Sequence, residues 1–489
     1  MTACPARRRF KGREAEKAEN FENHGFMNTK AHPHTHAINM CEGPLLGKLV
    51  RYAIPLWLTG LMQIAFHGAD MAVIGRFGSD KSMAAIGAVG ELSWLLICVV
   101  IGISSGSNVL AAQMFGAKDR KGLRRTVHTS IAFALASGIT LTVLGQLLLA
   151  PALRFLNVPE ELRPLSLRYL RICFCGYPLV MVGNFSYSIM RGIGDSRRPL
   201  YFLLAASGVN LALNIVFVKY LHMDVEGVAL ATVISEIVSA GLPATALLRE
   251  RGAARLVPKC IRFYPAELKR MLWIGVPSGL QYACYALANT IIQSAINTLD
   301  TVSIAGNTSA VIVEMLLHTW SSACFLTVMT AVGQNFGAGD YRRAVRSLLL
   351  CLLIVTVSMT ALGLLTVRNG EFLLGLIKTD PAVVGRGMVR IRTNLSVYAL
   401  LAVMDIMSGA LRGLGRSVTP MVVTLVGACG LRVVWVYTVF RSSPTLGTLY
   451  AAFPLSWICV SLVNGAILFF VCRALLAGNG KSLVLKLVR

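Results

Sequence analysis

Six ionisable side chains stand where an apolar chain holds them least easily. Asp70, Glu91, Glu236, Glu314, Asp405 and Arg432 each fall inside a long hydrophobic run. A charged group at the middle of a bilayer costs about 2.5–3.5 kcal/mol on insertion scales, so such groups are functional by default. Asp70 is the one whose possible partners suggest a chemistry. Asn210 and Asn214 are one turn apart, which puts them on one face of a helix. A buried carboxylate beside amide oxygens can take up a proton, because desolvation favours its neutral form, or it can hold Na⁺ through oxygen ligands. Either event cancels a buried charge and changes which packing of the surrounding helices is preferred. Cation coupling is therefore expected at Asp70, Asn210 and Asn214, with Glu314 and Asp405 as acidic candidates in the second half of the chain. Gln63, Glu91, Tyr282, Tyr285, Met315 and Arg432 are candidates for a cavity lining. Aromatic and methionine side chains give apolar, polarizable contact without demanding directional bonds.

The elements that must position these groups are membrane helices. The chain has 489 residues, of which 55% are hydrophobic and 14% charged, against about 25% charged in a soluble domain. Runs of roughly 20 apolar residues, each able to cross a hydrocarbon core of about 30 Å, follow one another with short breaks. Twelve are read, at approximately 50–75, 84–111, 127–150, 165–190, 200–218, 226–248, 270–298, 302–333, 345–367, 387–411, 418–440 and 448–474. No alternation of barrel type is seen, so helices are the spanning option that satisfies the backbone in lipid.

Two local motifs recur at one constant offset. Gln113-Met114-Phe115-Gly116-Ala117-Lys118-Asp119 returns as Gln334-Asn335-Phe336-Gly337-Ala338-Gly339-Asp340. Arg191-Gly192-Ile193-Gly194-Asp195-Ser196 returns as Arg412-Gly413-Leu414-Gly415-Arg416-Ser417, and Pro199 as Pro420. The shift is 221 residues in every case (113 to 334, 191 to 412, 199 to 420). A shared offset points to a duplicated unit of six spans, and two halves in one orientation are the usual plan of a secondary transporter.

Charge orients the spans. Lys118, Arg120, Lys121, Arg124 and Arg125 follow span 2. Arg191, Arg197 and Arg198 follow span 4, and Arg342, Arg343 and Arg346 follow span 8. The connection after span 6 carries Arg249, Arg251, Arg255, Lys259, Arg262, Lys269 and Arg270, whereas the turn near Asp300 has no Lys or Arg. Both termini are therefore expected in the cytoplasm, and the net charge of +24 is explained by topology. The basic residues are scattered over short loops, so no nucleic-acid partner is expected. Residues 1–45 read as a disordered basic tail, in which the alternating His32, His34 and His36 lack the fixed further ligands of a metal site. The cysteines lie mostly inside apolar spans and form no CxxC pair. Phosphate loops of the GxxxxGK[ST] type and the HExxH and GxSxG motifs are missing, which argues against an ATP-driven pump or an enzyme.

These motifs together resemble the multidrug and toxic-compound extrusion (MATE) family, over nearly the whole chain after the tail. The resemblance rests on Asp70 in Ala69-Asp70-Met71-Ala72-Val73-Ile74-Gly75, on Ala85-Ile86-Gly87, and on the paired Gln-x-Phe-Gly-Ala and Arg-Gly-x-Gly-x-Ser motifs. Val209-Asn210-Leu211 with Asn214, and Ile304-Ala305-Gly306-Asn307, add to it. It implies an all-α polytopic protein, with twelve helices in two six-helix bundles related by an internal parallel repeat around a V-shaped cavity. It further implies efflux of organic cations or amphipathic drugs in exchange for Na⁺ or H⁺, without a cofactor. Many bacterial members have a carboxylate where this chain has Asn214, so Asp70 would exchange a proton alone. The expected domains are residues 46–248 and 270–476, joined by a cytoplasmic loop at 249–269 and followed by a basic tail at 477–489. A multi-pass monomer in the inner (plasma) membrane, in contact with lipid and a small-molecule substrate, is expected. A flippase for a lipid-linked precursor is the alternative within the same broad superfamily, and a membrane scaffold or enzyme the alternative outside it.

Overall fold

Twelve helical elements occupy the twelve apolar runs, and their caps come from the residues between them. The structure is a computed structural model that describes residues 37–156 and 158–477, with the side chains of His67, Asp80 and Glu91 outside the description. The expectations placed on His32, His34 and His36, on Glu91 as a cavity residue and on the tail from 478 onward therefore lie outside the described residues. The first half comprises α1 (Leu45–Phe77), α2 (Asp80–Gly116), α3 (Arg120–Phe155), the bent α4 (Arg163–Cys175 and Tyr177–Gly192), α5 (Arg197–Tyr220) and α6 (Val225–Arg249). The second comprises α7 (Pro265–Ile296), α8 (Thr301–Gly337), α9 (Tyr341–Arg368), the bent α10 (Pro381–Leu395 and Ala399–Gly413), α11 (Val418–Phe440) and α12 (Leu446–Leu476). No strand occurs among the described residues.

The bends recur with the repeat, 49° in α4 and 48° in α10. By length and apolarity nine of the described helices can cross a membrane, and the two bent pairs raise this to eleven. The element that falls short is α7. It is 32 residues long but opens on Glu267, Lys269 and Arg270 and carries Gln281, Asn289 and Gln293 along its length. Its polarity is a property of the site described below.

The recurring Gln-x-Phe-Gly-Ala-x-Asp motif builds a helix end, a crossing and the next helix start. Its last residue caps the following helix in both copies: Asp119 accepts from the Gly122 N–H and Asp340 from the Arg343 N–H, each at 2.9 Å. Its glycine lets two helices touch. A Cβ on Gly116 would stand 1.8 Å from the Gln334 carbonyl oxygen, and one on Gly337 2.0 Å from that of Gln113. The Arg-Gly-x-Gly turns end α4 and α10 with Gly194 at φ +96° and Gly415 at φ +82°, a region that L side chains enter with strain.

Helix α1 belongs to both halves. Its opening turns bury Leu45, Leu49, Tyr52 and Leu56 in the core of the second half, with Val328, Val332, Ala344 and Leu348. Its far end buries Val73 and Ile74 in the first half, with Ile86, Val218 and Val225. The segment just before it, which the sequence assigns to the polar tail, packs inward as well. Met40 is fully buried, its N–H donates to Gln334 Oε1 at 3.0 Å, and its carbonyl accepts from Arg343 Nε at 2.8 Å.

Candidate functional site

The first half gathers its polar side chains where α1, α5 and α6 meet. Asn214 Nδ2 donates to Asp70 Oδ1 at 2.7 Å. The Asn210 amide reaches the same carboxylate. With its nitrogen turned toward Asp70 it lies 2.7 Å from Oδ1 and 3.0 Å from Oδ2, and its oxygen accepts from Ser235 Oγ at 3.3 Å. Asn210 and Asn214 are buried and Asp70 half-buried, and Asn214 Oδ1 has no hydrogen-bond partner among the described residues. Right after Asn214 the helix loosens into the π-helical segment Ile215–Tyr220, a form found often at functional sites. The three residues expected to act together are thus brought together.

The second half holds a different cluster. Glu314, on α8, is buried, and Arg390 Nη2 donates to its Oε2 at 2.6 Å while Asn394 Nδ2 donates to its Oε1 at 2.9 Å. Arg390 Nη1 also donates to Asn307 Oδ1 at 2.6 Å, an oxygen shared with the Tyr450 hydroxyl at 3.0 Å. The sequence marks Glu314 as an acidic candidate without naming a partner, and its partner is Arg390. Asp405, the other acidic candidate of this half, has different neighbours. It accepts from Ser321 Oγ at 2.8 Å and lies 3.7 Å from His318 Nε2. Arg412 donates to Gln281 Oε1 at 2.7 Å and lies 5.4 Å from the centre of the Tyr282 ring.

Among the expected lining residues, Gln63 on α1 and Met315 on α8 are exposed. Tyr282 and Tyr285 are half-buried on α7, with the Tyr285 hydroxyl 3.6 Å from Met404 Sδ. Arg432 is 3% exposed, and among the described residues its hydrogen bonds go to neutral groups. Sequence reasoning missed Arg390, Asn394, Tyr450, Gln293, Asn289 and His318. Arg390 was readable only as part of the basic run Arg386, Arg390, Arg392 at the edge of a span, where charge is ordinary.

At one end of the molecule the repeated motifs close the two halves on each other. Gln113 Nε2 donates to the Gly413 carbonyl at 2.9 Å, and Gln334 Nε2 to that of Gly192 at 3.0 Å. Each half's glutamine thus holds the other half's Arg-Gly turn. Close contact continues between α2 and α7. A Cβ on Gly106 would meet the Met271 oxygen at 2.2 Å, and one on Gly102 the Gly279 Cα at 2.4 Å. Farther along α2, Trp94 and Met83 are exposed.

A repeated pair of helical bundles, sealed at one end and carrying buried charge in each half, defines a polytopic membrane transporter. The sequence profile of the MatE family matches residues 55–216 and 277–438, one stretch in each half, and the chain belongs to that family of MATE transporters. It is 23% identical over 396 residues to the "Probable multidrug resistance protein YpnP" of Bacillus subtilis (strain 168), covering 81% of this chain and 88% of that one. It is 25% identical over 394 residues to the "FAD transporter" of Shewanella oneidensis, covering 79% and 86%. The solved outward-facing conformation of a multidrug resistance MATE family transporter superposes with a TM-score of 0.84 at 21% identity, over 91% of this chain and 99% of that one. At that identity the likeness speaks for the fold.

Proposed function

We propose that the chain is a secondary antiporter that exports amphipathic organic compounds, organic cations among them, in exchange for H⁺ or Na⁺ by alternating access. The observation that carries this reading is the amide cradle around Asp70. An ionised Asp70 accepts from the nitrogens of Asn214 and Asn210. A protonated Asp70 can instead donate to the Asn210 oxygen once that amide turns over, because an amide presents a donor and an acceptor at nearly the same place. The cradle can therefore satisfy both protonation states without moving a helix far. For Na⁺, the unpartnered Asn214 oxygen is a neutral ligand beside the carboxylate.

The sealed end supports the second part of the reading. Lys118, Arg120, Lys121, Arg342 and Arg343 cluster there, which favours the cytoplasmic side in the inner membrane. Access from that side then requires the two glutamine contacts to part. Relatives named for multidrug resistance support amphipathic cargo over a single narrow substrate.

The test is transport of ethidium in proteoliposomes with proton and Na⁺ gradients imposed independently. Wild-type protein should move the dye against one of these gradients. Asp70→Asn should insert normally and lose gradient-driven transport, since it keeps the shape and removes the exchangeable charge. Wild-type rates in Asp70→Asn at equal incorporation would remove Asp70 from the coupling.

A further inference from the structure

Around the Phe453 ring stand two guanidinium groups, Arg390 and Arg432, and one nearby carboxylate, Glu314. Glu314 is taken by Arg390 at 2.6 Å. Arg432 has no carboxylate within 4.0 Å among the described residues, although it is only 3% exposed. Its bonds go to neutral atoms: Nε donates to Ser456 Oγ at 3.2 Å, and Nη1 to Asn289 Oδ1 at a long 3.4 Å. The guanidinium lies 4.4 Å from the centre of the Phe453 ring and 6.0 Å from that of Tyr285. Arg390 stands 5.2 Å from the same Phe453 ring, so one aromatic side chain serves two cations.

Two further features single out this arginine. It sits in the short stretch Leu431–Trp435, between the π-helical segments Leu425–Gly430 and Val436–Phe440. Such interruptions put side chains where a regular helix would not. Its Nη2 has no hydrogen-bond partner among the described residues and is not sealed from the surface, and the neighbouring Asn289 is exposed. An ion in an apolar bundle persists without a counter-ion when something else requires it.

We propose that Arg432 recognises an anionic group, a carboxylate or a phosphate, on the compound this protein carries, whose flat apolar part packs against Tyr285 and Phe453. The proposal rests on the efflux reading above and names the chemistry of its cargo. Asn289 makes the weakest of the bonds and stands on the exposed side, so it gives way first. The oxyanion then accepts from Nη1 and Nη2 together, the paired geometry that a guanidinium offers and an ammonium does not. Glu314 does not compete, because Arg390 and Asn394 hold both of its oxygens. The coupling cation at Asp70 and the anion at Arg432 belong to different halves and do not exclude each other.

Three pyrene probes test this on the purified full chain: pyrenebutyrate, the neutral pyrenebutanol and a pyrene carrying a trimethylammonium group. Wild-type protein should bind the acid at least tenfold more tightly than the alcohol. Arg432→Gln should erase that difference without changing binding of the ammonium probe, and Arg432→Lys should keep part of it. Equal wild-type binding of acid and alcohol overturns the proposal, as does an acid preference that survives in Arg432→Gln. The wild-type comparison decides even if a variant fails to fold. Displacement of the acid by phosphatidylglycerol vesicles and not by phosphatidylcholine vesicles identifies a lipid headgroup as the anion. Displacement by neither identifies a soluble one. Binding is read without any gradient. An intact acid preference with no gradient-driven export therefore sinks antiport alone, and ethidium export without an acid preference sinks the Arg432 site alone.

Discussion

Asp70, Glu314 and Arg432 are each handled by a different set of neighbours, and the differences set what substitution will do. Glu314 and Arg390 form a desolvated pair, and removing one partner strands the other. Glu314→Gln should lower stability by about 3–5 kcal/mol, whereas Glu314→Leu with Arg390→Met should cost far less, because no charge is then left buried. Thermal unfolding in detergent separates the two outcomes, and equal losses would show that packing and not charge is at stake. In the Asp70 cradle, Asn214→Asp places a second acid within 2.7 Å of the first. Two such carboxylates do not both ionise easily and titrate as a unit, so the pH profile of transport should move relative to wild type. Asn214→Leu should weaken coupling instead. Wild-type pH and Na⁺ profiles in both variants would place Asn214 outside the site. The cradle was legible in the sequence because an aspartate inside an apolar run is conspicuous and two asparagines four apart share a helix face. The Glu314–Arg390 pair was not. Arg390 comes within a few residues of the outer edge of its span, and nothing local tells an arginine that turns inward from one that meets water.

Among the elements, the interlocking helix ends leave the least room for change. Gly116→Ala and Gly337→Ala each drive a methyl group into a backbone carbonyl of the opposite half, at 1.8 Å and 2.0 Å before any adjustment. Overpacking of this kind costs about 1–3 kcal/mol, and the near-symmetric geometry predicts similar losses from the two variants. A much larger effect at one site, in matched melting curves, would mean that the halves are not held equally. At the opposite end, Ser79 Oγ donates to Asp224 Oδ2 at 2.8 Å, tying the α1–α2 turn to the start of α6. Burial alone would raise the Asp224 carboxyl, but hydrogen bonds from Ser82 and Ser79 outweigh it and hold the group below the usual carboxylate range. The tie therefore contributes fully at neutral pH and is lost as the pH falls through that depressed value. Asp224→Asn should flatten the acid limb of a stability–pH curve, and an unchanged limb would show the tie to be idle. All twelve elements were readable from apolar runs, but several ends run five to seven residues further than the runs do: α3 begins at Arg120 where the apolar run begins near 127, because the polar first turn of a helix carries no hydropathy signal. The bends in α4 and α10 and the π-helical stretches were not readable, since they follow from packing across the bundle and leave no mark in composition.

For the molecule as a whole, topology is the first thing to establish. A cysteine placed at Arg255, on a background without reactive native thiols, should resist membrane-impermeant labelling in intact cells and react after permeabilisation. Labelling from outside would invert the orientation and with it the direction of transport. The duplication was visible as a constant offset, but its use was not. Sequence alone cannot say that the glutamine of each copy reaches across to the turn of the other, or that α1 begins in one core and ends in the next.

That reciprocal reach is the pattern of an isologous interface, in which patch i meets patch j and j meets i, except that here both partners lie on one polypeptide. Two identical chains meeting this way must change together, since any new residue appears twice. Once joined, the halves are free to drift apart. Asp70 has Ile291 at the matching position and Arg432 has Leu211. The symmetric seam keeps the halves in register, and so permits an acid on one side and, on the other, a base with no carboxylate partner among the described residues.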